Sequence, residues 1–132
     1  MSKILVVMSD IFFSAKINDA AKKLGATITV VQNEAKVTER LDAQQHGDQP
    51  VMLIMDLNCA TVDPIRLISE IKANPATKSI PVVGFVSHVQ TELRQKAAEA
   101  GCDVVVPRSV FAQDLPAILA RYITPAPGPA TE

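Results

Sequence analysis

The sequence predicts one α/β domain in which five parallel strands form a sheet between two layers of helices. Five short apolar runs recur along the 132 residues, and each is followed by a longer segment whose apolar residues fall at helical spacing. The runs are mostly apolar throughout rather than alternating in polarity, which is typical of strands covered on both faces. Hydrophobic residues make up 48% of the chain, enough for one domain of this length to bury a core.

The apolar runs are the predicted strands. In chain order they cover residues 3–8, 27–32, 51–56, 81–86 and 103–107. After the first strand, Phe13 and Ile17 lie on one helical face, Ser9 or Asp10 can cap the start, and Gly25 supplies a left-handed stop. The remaining predicted helices cover residues 33–45, 64–74, 88–100 and 115–122, with a loop or short turn at residues 109–113 and a cap at Asp114.

The predicted domain covers residues 1–123. Residues 124–132 contain three prolines and a glycine but no large apolar side chain. Such a segment cannot bury enough surface to offset the entropy of ordering it, so we expect a disordered tail.

Charge and composition exclude several classes of function. Thirteen basic and fourteen acidic residues give a net charge of -1, which disfavours general binding to nucleic acid or anionic lipid. No apolar run approaches the roughly 20 residues that span a bilayer, and no signal peptide is recognisable. Cys59 and Cys102 form no disulfide framework and have no Cys or His at metal-ligand spacing, so a cytoplasmic protein is expected.

Candidate functional residues follow the predicted strands, because ligands of open parallel sheets bind beyond the carboxyl ends of the strands. Asp56 ends the third strand and is the one acidic residue central to that edge. The other candidates follow the first, fourth and fifth strands and are Met8, Ser9 and Asp10, then Val86 and Ser87, then Arg108.

This pattern resembles the receiver domain of two-component response regulators, the CheY-like family. The resemblance rests on five strand-helix units, an aspartate ending the third strand (VMLIMDLN), a basic residue ending the fifth (VVVPRS) and AGCD before the fifth strand. It covers nearly the whole predicted domain. It implies a flavodoxin-like three-layer sandwich with strand order 2-1-3-4-5, and phosphorylation by a histidine kinase on Asp56.

The other functional positions of the family carry different residues here. Met8 and Ser9 stand where the family has its magnesium-binding acidic pair, with Asp10 one residue later. Val86 stands at the hydroxyl position, with Ser87 one residue later. Arg108 replaces the lysine that ends the fifth strand, followed by Ser109 where the family has proline, and Val105 replaces the aromatic residue that reports switching. The resemblance therefore implies a degenerate receiver, or pseudo-receiver.

The physical consequence of these differences is weak phosphorylation chemistry. Phosphoryl transfer to a carboxylate brings two anions together and requires positive charge to neutralise them. Magnesium is a hard cation that prefers several oxygen ligands, whereas Met8 offers a thioether and Ser9 one neutral oxygen. With only Asp10 and Asp56 as acidic ligands, the sequence predicts low metal affinity and no cofactor. Magnesium would be a cofactor only if the chain is a conventional, phosphorylated response regulator. Arg108 either pairs with Asp56 and holds the site in one state, or is a solvated surface arginine.

Three functions are compatible with the sequence. The favoured one is a non-enzymatic, stand-alone signalling module that docks to protein partners, such as a histidine kinase or another signalling protein, or to a second copy of itself. The second is a conventional single-domain response regulator phosphorylated on Asp56. The third is a small aspartate-nucleophile phosphatase or a flavodoxin-like ligand binder, suggested by Asp56-Leu57-Asn58, although the second acid of a D-x-D motif and a glycine-rich phosphate loop are absent.

Two partner surfaces are predicted. The first contains Val105, Phe111 and Leu115 of the fourth and fifth units, on the expectation that these apolar residues are partly exposed. The second is the rim formed by Asp56, Cys59, His88 and Arg108. It would suit a partner that inserts a polar side chain or a small anion.

Overall fold

A computed structural model describes residues 2–43, 49–87 and 91–123 of the chain. The predicted tail at 124–132 and the predicted rim residue His88 lie outside these ranges. Within them, no helix is both long enough and apolar enough to cross a bilayer.

Strands and helices alternate from end to end. The strands are β1 (Ser2–Val7), β2 (Ala26–Val31), β3 (Met52–Asp56), β4 (Val82–Val86) and β5 (Val104–Pro107). The helices are α1 (Ile11–Lys23), α2 (Glu34–Ala43), α3 (Pro64–Ala73), α4 (Thr91–Ala100), α5 (Arg108–Gln113) and α6 (Leu115–Tyr122). Each predicted strand is confirmed to within one residue at either end.

The five strands form one parallel sheet in the order β2-β1-β3-β4-β5, which confirms the predicted topology. Every residue of β3 and β4 is buried, as their unbroken apolar runs predict. The edge strands β2 and β5 are covered less completely. One cluster of buried side chains lies on each face of the sheet, so the sheet is the middle layer of a sandwich.

The prediction of a loop or short turn at residues 109–113 is wrong. The chain enters α5 at Arg108, directly after β5, and buries Phe111 completely. Asp114 joins α5 to α6: its amide donates to the Val110 carbonyl and its own carbonyl accepts from Ile118. Pro116 is compatible with this arrangement because it stands in the first turn of α6, where a missing amide proton costs little. The side chain of Asp114 makes no capping hydrogen bond.

Candidate functional site

Parallel strand ends bring the predicted site residues to one edge of the sheet. β1 and β3 are hydrogen-bonded neighbours, as are β3 and β4 and then β4 and β5. Asp56 pairs in register with Phe85, and Val86 pairs with Pro107. The segments that follow β1, β3, β4 and β5 therefore meet above the centre of the sheet, as predicted from the topology.

The Asp56 carboxyl group is sunk into this edge. The residue is 7% exposed, and its Oδ1 accepts a hydrogen bond of 2.9 Å from the backbone amide of Asn58. Burial raises the pKa of the Asp56 carboxyl above its ordinary value, because removing the charged form from water is costly. The Asn58 amide and the nearby Arg108 guanidinium oppose this rise in pKa, whereas the Asp10 carboxylate adds to it.

Asp10 has a separate structural task, the capping of α1. Its Oδ1 accepts hydrogen bonds of 3.0 Å from the amides of Phe12 and Phe13. Its Oδ2 accepts from Nη2 of Arg108. The Phe13 amide first, and then the Arg108 hydrogen bond, lower the pKa of the Asp10 carboxyl. Both oxygens of this carboxylate are therefore engaged within the chain.

Arg108 lies over aromatic rings and pairs with Asp10. The guanidinium carbon is 4.4 Å from the ring centroid of Phe13 and 5.9 Å from that of Phe85, within the range of cation–π attraction. Phe111 completes the aromatic base, with ring centroids 5.0 Å from Phe85 and 5.9 Å from Phe13. About one third of the Arg108 side chain is exposed.

Both earlier expectations for Arg108 need correction. It is not a solvated surface arginine, and its ion pair is with Asp10 rather than with Asp56. The physical reason is the Phe13 ring, which lies beneath the guanidinium at the start of α1, where Asp10 also stands. Asp56 instead accepts a hydrogen bond from the Asn58 amide, and Arg108 affects Asp56 only electrostatically, by lowering its pKa in part.

A second polar link joins the ends of β3 and β4. The Asn58 Oδ1 accepts from the Ser87 amide at 2.7 Å and from the Ser87 hydroxyl at 3.0 Å. Val86, at the predicted hydroxyl position, is fully buried and has no polar side-chain atom. Ser87 therefore does lie at the edge, but its hydroxyl bonds to Asn58, a contact that the sequence pattern did not predict.

The residues present do not fit a magnesium ion. Met8 is fully buried and offers only sulfur, and Ser9 contributes one neutral oxygen. Asp10 already uses both oxygens, which leaves Asp56 with one bonded and one further oxygen. In the described parts of the chain, no three of the residue types His, Cys, Asp and Glu come together as a group that could hold a metal.

The predicted apolar partner surface is wrong for two of its three residues. Phe111 is 0% exposed and Leu115 2% exposed, because α5 and α6 turn these side chains toward the sheet. Val105 is half-buried in the edge strand β5. Of the predicted rim, Asp56 and Cys59 are buried, and the Cys59 sulfur lies 3.2 Å from the Thr61 hydroxyl.

The structure shows a different exposed apolar surface, which the sequence analysis missed. Ile11 and Phe12 follow the Asp10 cap and are 65% and 85% exposed. Helical periodicity carries the signal: the buried residues Phe13, Ile17 and Ala21 define the inner face of α1, and Phe12 falls outside it. We call Ile11 and Phe12 the α1 apolar pair.

Comparisons with known proteins agree with this architecture. No protein-family model and no curated protein sequence matches the chain. Among solved structures, the phosphorylated cyanobacterial phytochrome response regulator RcpA is 19% identical, with a TM-score of 0.80 over 95% of this chain and 96% of that one.

Two further solved structures give the same result. The receiver domain of the sensor histidine kinase PA1611 from Pseudomonas aeruginosa, with a magnesium ion in its active-site cleft, is 20% identical, with a TM-score of 0.76 over 92% and 97% of the two chains. The chemotaxis response regulator CheY4 of Vibrio cholerae is 14% identical, with a TM-score of 0.78 over 92% and 98%. This chain therefore has the CheY-like receiver fold of response regulators.

Proposed function

We propose that this protein is a response-regulator-like signalling module that acts by docking to other proteins, with phosphorylation of Asp56 lost or weak. The observation that carries the proposal is the state of the two carboxylates at the sheet edge. Asp56 is buried and Asp10 is fully engaged by the α1 amides and Arg108. Neither carboxylate is free to bind a divalent cation with both of its oxygens.

Charge balance makes phosphorylation unfavourable at this site. A phosphoryl group on Asp56 would add negative charge beside the Asp10 carboxylate, and the pKa of Asp56 is already raised by burial and by that carboxylate. The positive charge of Arg108 acts electrostatically on both carboxylates, and its guanidinium forms an ion pair with Asp10. Transfer would have to break this ion pair before the guanidinium could neutralise the incoming group.

Docking is supported by the α1 apolar pair. A phenylalanine that is 85% exposed and adjoins an exposed isoleucine gives no packing stability to the isolated chain. It stands at the same sheet edge as Arg108, so a protein partner could cover the apolar pair and contact the exposed third of Arg108 together. The proposed partners are signalling proteins, a histidine kinase among them, or a second copy of the chain. Nucleic acid and membrane are not proposed as partners.

Intact-protein mass spectrometry tests the phosphorylation part. The protein is incubated with magnesium and a small-molecule phosphodonor, beside the Asp56→Asn variant and an ordinary receiver domain as positive control. We expect no phosphoryl adduct on the native chain under conditions in which the control receiver domain is phosphorylated. An adduct on the native chain that disappears in Asp56→Asn would instead make this a conventional response regulator and overturn the proposal.

Cross-linking in native cell extract tests the docking part. Phe12→Ser removes the most exposed aromatic side chain at little cost in stability, and we expect it to lose partners that the native chain captures. Val30→Ser is the matched control, because Val30 is a partly exposed apolar residue of the edge strand β2. Equal capture by the native chain and both variants would exclude the α1 apolar pair as the docking surface.

A further inference from the structure

Arg108 places its charge against Asp10 and over the Phe13 ring, with about one third of its side chain exposed. We call the side chains of Asp10 and Asp56 the carboxylate pair. The Arg108 hydrogen bond to Asp10 helps to lower the pKa of that carboxyl, and the Arg108 charge opposes part of the rise in pKa that burial causes at Asp56. Asp10 and Asp56 also interact electrostatically with each other. The three groups thus form one charge cluster of two carboxylates and one cation at the carboxyl ends of β1, β3 and β5.

We propose that the Arg108 guanidinium is a built-in cation that occupies the place where the carboxylate pair could otherwise bind a divalent metal ion. The inference deepens the proposed function, on which it rests, by assigning the residue that keeps the carboxylate pair from binding a metal ion. In the native chain the charge of the carboxylate pair is partly neutralised by a cation that is covalently part of the chain. Removing that side chain should uncover a weak divalent-cation site at Asp10 and Asp56.

Several contacts fix the guanidinium in place. Arg108 begins α5 immediately after β5, so its backbone is set by two adjoining elements. The Phe13 ring lies under the guanidinium at 4.4 Å, and Phe13 is itself packed edge-on against Phe85 at 5.3 Å. A guanidinium is planar, permanently charged and weakly hydrated, properties that suit it to an aromatic base and a carboxylate partner.

The same contacts explain why a metal ion cannot compete in the native chain. A divalent ion at Asp10 would have to displace Arg108, and the displaced guanidinium would remain tethered nearby as a repelling charge. The ion would also lose hydration in exchange for few protein oxygens, because Met8 and Val86 supply none. Substituting the arginine removes the guanidinium that the ion would have to displace. The number of protein oxygens stays low, so the uncovered site is weak, but two carboxylates completed by water are a ligand set with which hard divalent ions do bind.

The test is a titration with Mn²⁺ followed by electron paramagnetic resonance, because the signal of free Mn²⁺ falls as the ion binds. Four proteins are compared: native, Arg108→Met, Arg108→Lys and the double variant Arg108→Met with Asp56→Asn. Methionine keeps an apolar stem on the Phe13 ring without the charge, whereas lysine keeps the charge. Circular dichroism establishes that each variant is folded.

We expect the native chain and Arg108→Lys to bind Mn²⁺ only at the level of ordinary surface carboxylates. Arg108→Met should bind about tenfold more tightly or better, since removing one unit charge at contact distance is worth at least that much. The double variant should return to the native level. This pattern would locate the new site at the carboxylates that Arg108 neutralises.

Three results would overturn the proposal. They are Mn²⁺ binding by the native chain clearly above that of the double variant, unchanged binding by folded Arg108→Met, or a gain in binding that survives in the double variant. Should Arg108→Met fail to fold, the native and Arg108→Lys titrations still decide, since clear binding by either contradicts a built-in cation.

These outcomes are distinct from those of the phosphorylation test. A native chain that binds Mn²⁺ but accepts no phosphoryl group would overturn the built-in cation and leave the proposed function standing. A chain that is phosphorylated without binding Mn²⁺ would do the reverse.

Discussion

The buried carboxyl group of Asp56 is central to the candidate site but lowers the stability of the fold when it is ionised. Burial raises the pKa of its carboxyl in the folded chain above the ordinary 3.8. The folded state therefore binds the Asp56 proton more strongly than the unfolded state does. The contribution of this protonated carboxyl to the free energy of unfolding is fully present below pH 3.8 and is lost as the pH rises through the pKa of the folded state. Asp56→Asn should raise the free energy of unfolding at pH 7, because the amide keeps an oxygen for the Asn58 amide without a buried charge.

Urea denaturation of the native chain and Asp56→Asn, repeated at several pH values, measures this effect. The gain should be largest near pH 7 and should shrink as the pH is lowered toward 3.8 and below. Asp19→Asn is the control, because Asp19 is exposed on α1 and its substitution should change stability by no more than about 0.5 kcal/mol. A loss of stability in Asp56→Asn at pH 7 would show that its ionised carboxylate is stabilised by contacts stronger than those described.

At the scale of the helix, α1 separates two neighbouring phenylalanines by function. Phe13 is buried and packs against Phe85, Phe111 and Arg108, whereas Phe12 is 85% exposed. Phe13→Ala should therefore cost about 3–5 kcal/mol through lost packing and a cavity. Phe12→Ala should change the free energy of unfolding by no more than about 0.5 kcal/mol.

Thermal or urea denaturation of these two variants makes a matched comparison within a single turn of helix. Similar losses for Phe12→Ala and Phe13→Ala would mean that α1 is rotated from the orientation described. The comparison also bears on docking, since a stable Phe12→Ala chain that loses a partner has lost a binding contact rather than its fold.

Helix α1 also shows which features of the structure can be predicted from the sequence. Local patterns predict its inner face and a cap at Ser9 or Asp10, of which the structure shows Asp10, because capping and periodicity are properties of a few consecutive residues. The sheet order also followed from the resemblance and is confirmed. The Arg108–Asp10 pair was not predicted, because it joins residues 98 positions apart and depends on how α5 leaves β5 beside the Phe13 ring. Burial of Phe111 was missed for the same reason, since α5 itself was not predicted.

Across the whole molecule, the two ends of the sheet are fastened by different ion pairs. At the carboxyl end, Arg108 joins α5 to the start of α1 through Asp10. At the amino end, Lys72 near the end of α3 pairs with Asp103 at 2.8 Å, and Asp103 accepts from the Val82 amide at 2.7 Å. The first pair occupies the candidate site, whereas the second lies at the opposite edge, so stability and function can be altered separately.

Lys72 gives the prediction that belongs to this scale. Its ammonium also donates to the carbonyls of Lys78 at 3.1 Å and Ile80 at 2.8 Å, so it links α3, the following loop and the start of β5, with its side chain only 16% exposed. Lys72→Met keeps the apolar stem but leaves these acceptors without their donor, and it should cost about 1–3 kcal/mol. Urea denaturation should show a lower midpoint with an unchanged slope, because one cooperative domain loses stability as a unit.

Lys36→Met is the matched control for the loss of a lysine charge. Lys36 pairs with Glu39 at 3.6 Å, but both side chains are mostly exposed, and such pairs contribute about 0–1 kcal/mol. If the two lysine variants have the same midpoint, the Lys72 contacts add nothing beyond a surface pair. If Lys72→Met instead broadens or splits the transition, the link between α3 and β5 is what makes the domain unfold as one unit.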